Sequence, residues 1–317
     1  MLAVHLESNR VEVRRVPKPR RPERFSLIRL LAAGICNTDL ELLRGYYGFR
    51  GRPGHEFIGE VVESDSPSLR GKRVAGEINL SCNACDWCRR GLGRHCPNRS
   101  VLGIVRHPGA FAEFLTLPDR NLHPIPSSIP THHAVFAEPL AAACEILEQV
   151  SIPARAPVAI LGDGKLGLLI AQVLHAHGAA VCLYGRHRDK LNIARRAGVT
   201  SSLLPKKLPQ AEFDFVVDAT GSAFGLSAAT TMVRPRGTVI MKSTIHDAVS
   251  INTAPIIVNE ITLVGSRCGR FQPALRLLRA GTIQLDPMLS DSYALHRAAK
   301  AFARASEKGV LKVILVP

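Results

Sequence analysis

The chain has 317 residues, of which 46% are hydrophobic and 21% are charged. At about 150 residues per domain, this length predicts two domains with full hydrophobic cores, and the composition excludes a disordered or collagen-like chain. No apolar run approaches the roughly 18 residues of a membrane helix, and residues 1–13 alternate polar and apolar side chains, so we see no signal peptide. We therefore expect a soluble protein that does not act on a membrane.

The formal net charge of +15 favours anionic partners, so nucleic acid must be considered. Only 5% of the residues are aromatic, with a single Trp, which leaves few platforms for stacking bases. The basic residues are dispersed apart from residues 14–24 and 186–190. A phosphorylated cofactor or an Arg-rich solvated surface explains the charge as well, and we expect no nucleic-acid partner.

The first half of the chain reads as β-rich. Alternating or apolar runs predict strands over 11–16, 25–32, 54–64, 72–76 and 111–117. Residues 124–130 form a turn-rich link, after which residues 134–150 are expected to form a helix.

From Pro157 onwards, apolar strand-like runs alternate with helical stretches. The predicted strands are 158–161, 180–184, 213–217, 238–241 and 261–264, with helices over 168–175, 272–280 and 293–305 and a closing strand over 312–316. This alternation predicts βαβ units and a parallel sheet. We find no internal repeat.

A glycine-rich loop lies between the first of these strands and its helix. Its sequence is Gly162-Asp163-Gly164-Lys165-Leu166-Gly167. The pattern G-x-G-x-x-G is weak alone, but the strand before it and the helix after it are the context that dinucleotide binding requires. The glycines allow a tight turn, and the helix N-terminus favours the pyrophosphate.

The turn after the second strand carries arginines where an NAD site would want an acidic residue. Gly185, Arg186 and Arg188 follow the strand, and no carboxylate does. Guanidinium groups bind a 2′-phosphate well, so we expect NADP to be preferred over NAD. If this is only a solvated basic turn, NAD binds equally well.

Four of the eight cysteines crowd into fifteen residues: Cys82, Cys85, Cys88 and Cys96. In a chain of this length without a visible signal peptide, such clustering predicts metal binding in a reducing compartment, which we expect to be the cytoplasm. Four thiolates complete a tetrahedral zinc shell and leave no open position, so this zinc would be structural.

A second metal constellation is discontinuous. Cys36 is followed nineteen residues later by His55, within Gly54-His55-Glu56. A thiolate and an imidazole suit zinc, and a third side chain with one open position would make that zinc catalytic. Taken alone, a Cys and a His are more often a core thiol and a hydrogen-bonded core histidine than metal ligands.

The order of these motifs along the chain resembles that of the zinc-containing medium-chain dehydrogenases, the alcohol, polyol and threonine dehydrogenase family. The motifs are Gly34-Ile35-Cys36-Asn37-Thr38-Asp39, Gly54-His55-Glu56, the four-cysteine loop and the nucleotide loop. The resemblance covers nearly the whole chain. It implies an α/β protein with a GroES-like β-rich catalytic domain (1–149 and 272–317), a doubly wound Rossmann domain (150–271), and a catalytic zinc in the cleft between them.

The resemblance also implies roles for individual residues. Cys36 and His55 become zinc ligands, Asp39 orients the ligand histidine, and Thr38 takes the substrate proton. Glu56 and Glu138 are the two candidates for a further zinc ligand. Each either binds the zinc directly or lies next to it without binding. On the cofactor side, Thr220 borders the nicotinamide ribose and Lys312 contacts the pyrophosphate.

The implied reaction is a reversible oxidation of an alcohol by NADP or NAD. It implies two zincs per chain, one catalytic and one structural, and a homodimer or homotetramer. Glu138, where animal-type alcohol dehydrogenases carry Cys, favours polyol, sugar or secondary-alcohol substrates. Glu41 replaces a histidine that relays protons in some members, so the proton route does not transfer.

Three alternatives stay open at this point. The first is a non-catalytic NADP-binding sensor or scaffold of the same fold, and the second is a nucleic-acid-associated zinc protein. The third, a zinc-free quinone reductase of the same superfamily, is disfavoured by the four-cysteine loop and the Gly-His-Glu motif.

Overall fold

Two units make up the chain in the computed structural model, which describes residues 1–244 and 248–317. Unit 1 comprises Met1–Glu138, Ala274–Arg279 and Leu289–Pro317, and unit 2 comprises Pro139–Pro273 and Ala280–Met288. The first junction lies inside a helix, eleven residues before the domain boundary expected from the sequence. No helix among the described residues is long and apolar enough to cross a membrane.

Unit 1 is built almost entirely from strands. They are β1 (Leu2–Glu7), β2 (Arg10–Arg15), β3 (Phe25–Gly34), β4 (Glu56–Glu63), β5 (Arg73–Gly76), β6 (Asn79–Leu80), β7 (Ser100–Leu102), β8 (Arg106–His107), β9 (Phe114–Pro118), β10 (Leu122–Pro124), β17 (Leu289–Ala294) and β18 (Lys312–Val316).

The largest sheet of unit 1 has the order β10-β5-β4-β3-β18-β17, with β9 also pairing with β3. Strand β3 is its centre, and most of its side chains are buried because neighbours cover it. The chain's last strand, β18, runs antiparallel to β3, with Ile314 opposite Gly34. This pairing brings Lys312, at the start of β18, to the end of β3 where residue 36 follows.

Unit 2 contains a parallel six-stranded sheet in the order β13-β12-β11-β14-β15-β16. Its strands are β11 (Pro157–Leu161), β12 (Ala180–Gly185), β13 (Thr200–Leu203), β14 (Phe213–Asp218), β15 (Val233–Met241) and β16 (Thr262–Gly265). The order reverses between β11 and β14, which is the point where doubly wound sheets bind ligands beyond the carboxyl ends of their strands.

Ten helices lie among the described residues. They are α1 (Asn37–Leu43), α2 (Asp86–Arg89), α3 (Thr131–Ala134), α4 (Ala137–Gln149), α5 (Lys165–Ala176), α6 (Arg188–Arg196), α7 (Ala223–Met232), α8 (Ala254–Val258), α9 (Phe271–Ala280) and α10 (Ala298–Ala305). Helix α5 buries eight consecutive residues from Gly167 to Leu174, as expected of a helix in a doubly wound fold.

Most predicted elements are confirmed within a few residues, and the closing strand has the predicted bounds. The predicted helix over 293–305 is wrong in its first part, because Tyr293 and Ala294 belong to β17 and pair with β18. Helix α10 begins only at Ala298. The predicted helix over 134–150 is confirmed as α4, with the short helix α3 ending just before it. The strands that were not predicted are β1, β6, β7, β8, β10, β13 and β17.

Candidate functional site

Cys36 lies at the N-terminus of α1, where Asp39 holds the backbone in place. Asp39 is fully buried, and one carboxylate oxygen accepts a hydrogen bond from the Cys36 N–H at 2.8 Å. This is the backward bond of a capping box, in which a residue of the first turn satisfies a donor before the helix. The other oxygen accepts from the Gly54 N–H at 3.1 Å. A single carboxylate therefore ties together the two segments that carry Cys36 and His55.

The structure brings the side chains of Cys36, His55 and Glu56 together. One ligand atom from each lies within 4.8 Å of the others. His55 and Glu56 are almost completely buried, whereas Cys36 is partly accessible. A thiolate, an imidazole and a carboxylate are the ligand types of catalytic zinc sites, so the donor set fits that metal.

The charges around His55 favour a cation. Burial by itself lowers the pKa of His55, but the negative charges of Asp39 and Cys36 outweigh it and raise this pKa well above its ordinary value. His55 Nδ1 lies 3.5 Å from Asp39 Oδ1 and has no hydrogen-bond partner. The negative charge that Asp39 and Cys36 place around His55 would also attract a metal cation, which would displace the proton because a histidine ligand is neutral.

Lys312 forms a buried ion pair with Glu56 that the sequence did not reveal. Nζ of Lys312 contacts Glu56 Oε2, and the two side chains are 1% and 2% exposed. Burial lowers the pKa of Lys312, but the charges of Glu56, Cys36 and Glu138 together raise it. The ammonium also lies 5.5 Å from the centre of the Phe136 ring. In the structure this lysine thus contacts the cluster of Cys36, His55 and Glu56, and its implied pyrophosphate contact stays a prediction.

Glu138 stands at the start of α4 and is only partly buried. It is not part of the three-residue cluster, although its charge acts on Lys312. Glu56 is therefore the carboxylate that lies within ligand distance of Cys36 and His55.

Thr38 lies beside the same cluster, in the first turn of α1. Its Oγ1 is 3.8 Å from Cys36 Sγ. A hydroxyl at this position can exchange a proton with a group bound next to the sulfur.

The four clustered cysteines form a separate group around α2. The sulfur of Cys96 is buried, and the other three are more accessible. The sulfur–sulfur distances are 3.4 Å for Cys85–Cys88 and Cys82–Cys96, 3.6 Å for Cys85–Cys96 and 3.9 Å for Cys82–Cys88. A tetrahedral zinc with bonds of about 2.3 Å requires sulfurs about 3.8 Å apart. The group therefore fits a closed zinc site.

The peptide groups of this loop favour thiolates. Backbone N–H groups of Ala84 and Cys85 donate to the sulfur of Cys82 and lower its pKa to about 6. The thiolate is the form that binds metal, so the backbone favours the ligand form of Cys82. Burial and the neighbouring thiols of Cys85 and Cys96 raise the pKa of Cys88 to about 12, so its thiolate would depend on the metal itself.

The glycine loop of unit 2 has the geometry expected for a dinucleotide site. Gly162 has φ of 110°, and a Cβ on Gly167 would lie 1.9 Å from the Gly162 carbonyl oxygen, so neither position accepts a side chain. A Cβ on Gly164 meets no protein atom within 4 Å, which leaves room for a ligand there. Lys165 and Leu166 begin α5, whose first N–H groups point at this space.

The turn after β12 presents two free cations. Arg186 and Arg188 are exposed and form no ion pair with any residue of 1–244 or 248–317. Gly185, just before them, is buried. At the end of β14, Thr220 donates from its N–H and hydroxyl to Asp218 Oδ1 at 2.9 and 2.8 Å. These residues all lie at the carboxyl edge of the parallel sheet.

Two families of known proteins match the chain. Residues 23–127 match the alcohol dehydrogenase GroES-like domain, and residues 166–280 match the zinc-binding dehydrogenase family. The two matches fall on the β-rich first half and on the parallel sheet, respectively.

Two of the curated relatives are named for sugar alcohols or their phosphates. D-altritol 5-dehydrogenase from Agrobacterium fabrum is 34% identical over 277 residues, which is 82% of each chain. D-arabitol-phosphate dehydrogenase from Enterococcus avium is 28% identical over 313 residues, covering 91% of this chain and 89% of that protein.

One solved structure is similar to this chain both in fold and in amino-acid sequence. It is a protein from Sinorhizobium meliloti 1021, described as a zinc-binding dehydrogenase and bound to NADP. It superimposes with a TM-score of 0.91 at 30% identity and covers 100% of this chain and 99% of its own.

Proposed function

This chain belongs to the zinc-containing medium-chain dehydrogenases, and from that premise we propose that it oxidises a polyol or sugar alcohol with NADP as the preferred hydride acceptor. As a member of the family it is an alcohol-dehydrogenase-like oxidoreductase, with a GroES-like and a Rossmann-like region. The observation that carries the proposal is the cluster of Cys36, His55 and Glu56, with Thr38 beside it.

We propose that Cys36, His55 and Glu56 hold a catalytic zinc and that the four-cysteine loop holds a structural one. When bound, the catalytic zinc supplies Lewis acidity to a substrate oxygen, and NADP supplies the hydride acceptor. Asp39 Oδ1 lies 3.5 Å from His55 Nδ1, and its negative charge favours a proton on that nitrogen, which leaves Nε2 as the ligand nitrogen.

Lys312 compensates the negative charge that Glu56 brings to this site. Thiolate and carboxylate together would give zinc two anionic ligands, which weakens its Lewis acidity. The buried ammonium offsets one of these charges. Glu138, near Lys312, is the carboxylate that could exchange with Glu56 for the ammonium.

Thr38 is the residue we assign to the substrate proton. Its hydroxyl lies close to Cys36 Sγ, is held on the helix that Asp39 caps, and is partly accessible. It accepts the hydroxyl proton of the alcohol as it donates its own onward. Glu41 is partly exposed and paired with Arg44 at 2.6 Å, so we assign no relay to it.

The cofactor's pyrophosphate is assigned to the loop of Gly162, Gly164 and Gly167 with the first N–H groups of α5. Its 2′-phosphate is assigned to Arg186 and Arg188, whose guanidinium groups are exposed and have no protein partner among the described residues. The NADP bound to the Sinorhizobium protein is consistent with this preference.

The substrate class rests on the relatives. D-altritol and D-arabitol phosphate, the compounds in their names, are polyhydroxy alcohols. A sensor or a nucleic-acid-associated zinc protein is disfavoured, because the named relatives are dehydrogenases and because Cys36, Thr38 and His55 are all present.

We further propose a homo-oligomer. Strand β16 pairs only with β15 among the described strands, and helix α8 before it exposes Ile257 and Val258 at 73% and 78%. An unpaired edge strand beside exposed apolar side chains is a surface that a second copy can cover. The cytoplasmic location stays a prediction.

The activity test follows reduced-cofactor absorbance with zinc-replete protein against pentitols, hexitols, their phosphates and simple secondary alcohols. Each substrate is run with NADP and with NAD. We expect turnover on the polyols, and Cys36→Ser should abolish it. Cys182→Ser changes a cysteine of similar exposure that lies in β12 and in no metal cluster, and it should keep the activity. Equal activity in both variants would refute the assignment of the metal site.

A further inference from the structure

Asp163, the second residue of the glycine loop, is bonded to the turn that carries the two free arginines. Its Oδ2 accepts hydrogen bonds from the N–H groups of Arg186 and His187, both at 2.7 Å. The His187 ring nitrogen Nδ1 lies 3.1 Å from both carboxylate oxygens. Asp163 is only 7% exposed. A buried Asp is uncommon unless its charge is satisfied, and here three N–H donors satisfy it.

The side chain of Asp163 leaves space only for glycine at position 185. A Cβ at residue 185 would lie 2.5 Å from the Cβ and Oδ2 of Asp163, closer than any real Cβ contact. The backbone of Gly185 is not in the left-handed region, so space and not conformation requires glycine here. The Asp163 side chain therefore packs directly against the Gly185 backbone and connects the glycine loop to the end of β12.

This connection is held by an ionised carboxylate. Burial raises the pKa of Asp163, but the hydrogen bonds from His187 and Arg186 outweigh burial and hold this pKa below its ordinary value. A charged acceptor forms the stronger hydrogen bonds, so both backbone N–H groups are oriented firmly towards the loop.

We propose that Asp163 is a positioning residue for cofactor selection: it fixes the backbone of residues 186 and 187 so that the guanidinium groups of Arg186 and Arg188 meet the 2′-phosphate of NADP. This rests on the proposed NADP preference. The sequence shows no acidic residue at the end of β12, yet the glycine loop supplies a carboxylate to that place. Because backbone and ring N–H groups already satisfy its charge, this carboxylate organises the turn and does not read the ribose hydroxyls.

Coulomb's law and positioning predict opposite outcomes for Asp163→Asn. Removing a negative charge near a phosphate should by itself strengthen NADP binding. If the charge of Asp163 instead holds the turn, the asparagine side chain replaces one carboxylate oxygen by an NH2 group. This NH2 group faces the N–H groups that donated to the carboxylate, so Arg186 and Arg188 lose their fixed placement. Positioning predicts weaker binding of the 2′-phosphate, with little effect on cofactors that lack it.

The experiment measures dissociation constants by calorimetry for four ligands: NADP, NAD, 2′,5′-ADP and 5′-AMP. For Asp163→Asn we expect the constants of NADP and 2′,5′-ADP to rise about tenfold, and those of NAD and 5′-AMP to change less than about twofold. The matched control is Asp189→Asn, which removes the same charge from the exposed first turn of α6. It should leave NADP binding unchanged or slightly stronger.

Any one of three results overturns the proposal. Weaker NAD and stronger NADP binding in Asp163→Asn would show that the carboxylate reads the ribose hydroxyls, and equal losses for all four ligands would show a general structural role. If Asp163→Asn does not fold, His187→Ala removes only the ring donor, and an unchanged ratio of NADP to NAD constants there would also overturn it. A wild-type protein that binds 2′,5′-ADP no tighter than 5′-AMP would refute the NADP preference itself, and polyol oxidation with NAD would still test the dehydrogenase.

Discussion

Replacing Lys312 by Met removes one partner of a completely buried ion pair. The Lys312 and Glu56 side chains are 1% and 2% exposed, so water cannot solvate the carboxylate that is left behind. Met has a similar length and keeps the contact with the Phe136 ring. Breaking a buried pair by removing one partner costs about 3–5 kcal/mol, because an uncompensated charge stays buried.

A double-mutant cycle separates the charge effect from lost packing. Glu56→Gln in the Lys312→Met background removes the unpaired carboxylate, so the double variant should recover at least about 1 kcal/mol of the single loss. Lys300→Met changes an exposed lysine of α10 in the same unit and serves as the control, with an expected effect within about 0.5 kcal/mol.

Thermal unfolding of the metal-free protein, followed by circular dichroism, measures these effects. At about 2–4 °C per kcal/mol for a unit of this size, Lys312→Met should lower the Tm by about 6–20 °C. A loss smaller than about 2 °C, or a double variant whose losses simply add, would refute the view that the pair is buried and mutually dependent.

Three further predictions concern other parts of the chain. Arg52 is largely buried, its Nε has no hydrogen-bond partner, and burial lowers its pKa to about 10. Because a buried charge without partners costs stability, Arg52→Met should raise the Tm. A lower Tm would show that neighbouring groups or water stabilise the Arg52 charge. Cys96→Ser removes the buried ligand of the four-cysteine group, so zinc content should fall by one per chain and the Tm should drop; unchanged zinc would contradict a metal there. Ile257→Asp places a charge on the exposed face beside β16, and light scattering should then show smaller particles than the wild type; an unchanged mass would place the subunit contact elsewhere.

The sequence predicted the fold where local pattern and long-range pairing agree. Apolar runs located the strands of the parallel sheet, and the glycine spacing located the tight turn between β11 and α5. The predicted helix over 293–305 failed in its first part, because pairing with β18 decides the conformation of Tyr293 and short-range periodicity does not record it.

In the candidate site, too, some residues could be predicted from the sequence and others only from the structure. Cys36, His55 and the four cysteines carry recognisable chemistry and spacing, so the sequence was sufficient to propose them. The pairing of Lys312 with Glu56 joins residues 256 positions apart and depends on β18 lying beside β3. The only signal was a lysine opening an otherwise apolar strand. The bonds from Asp163 to the turn after β12 likewise appear only once β11 and β12 are adjacent.

Zinc counting combined with cofactor reduction shows whether Cys36 holds a metal that the reaction needs. Purified protein is analysed for zinc by mass spectrometry, and the same sample is assayed for NADPH formation with a polyol panel, for the wild type and for Cys36→Ser. We expect two zincs per chain and turnover in the wild type, and one zinc and no turnover in the variant. Polyol oxidation that persists in Cys36→Ser with its zinc content unchanged would contradict a catalytic zinc at Cys36.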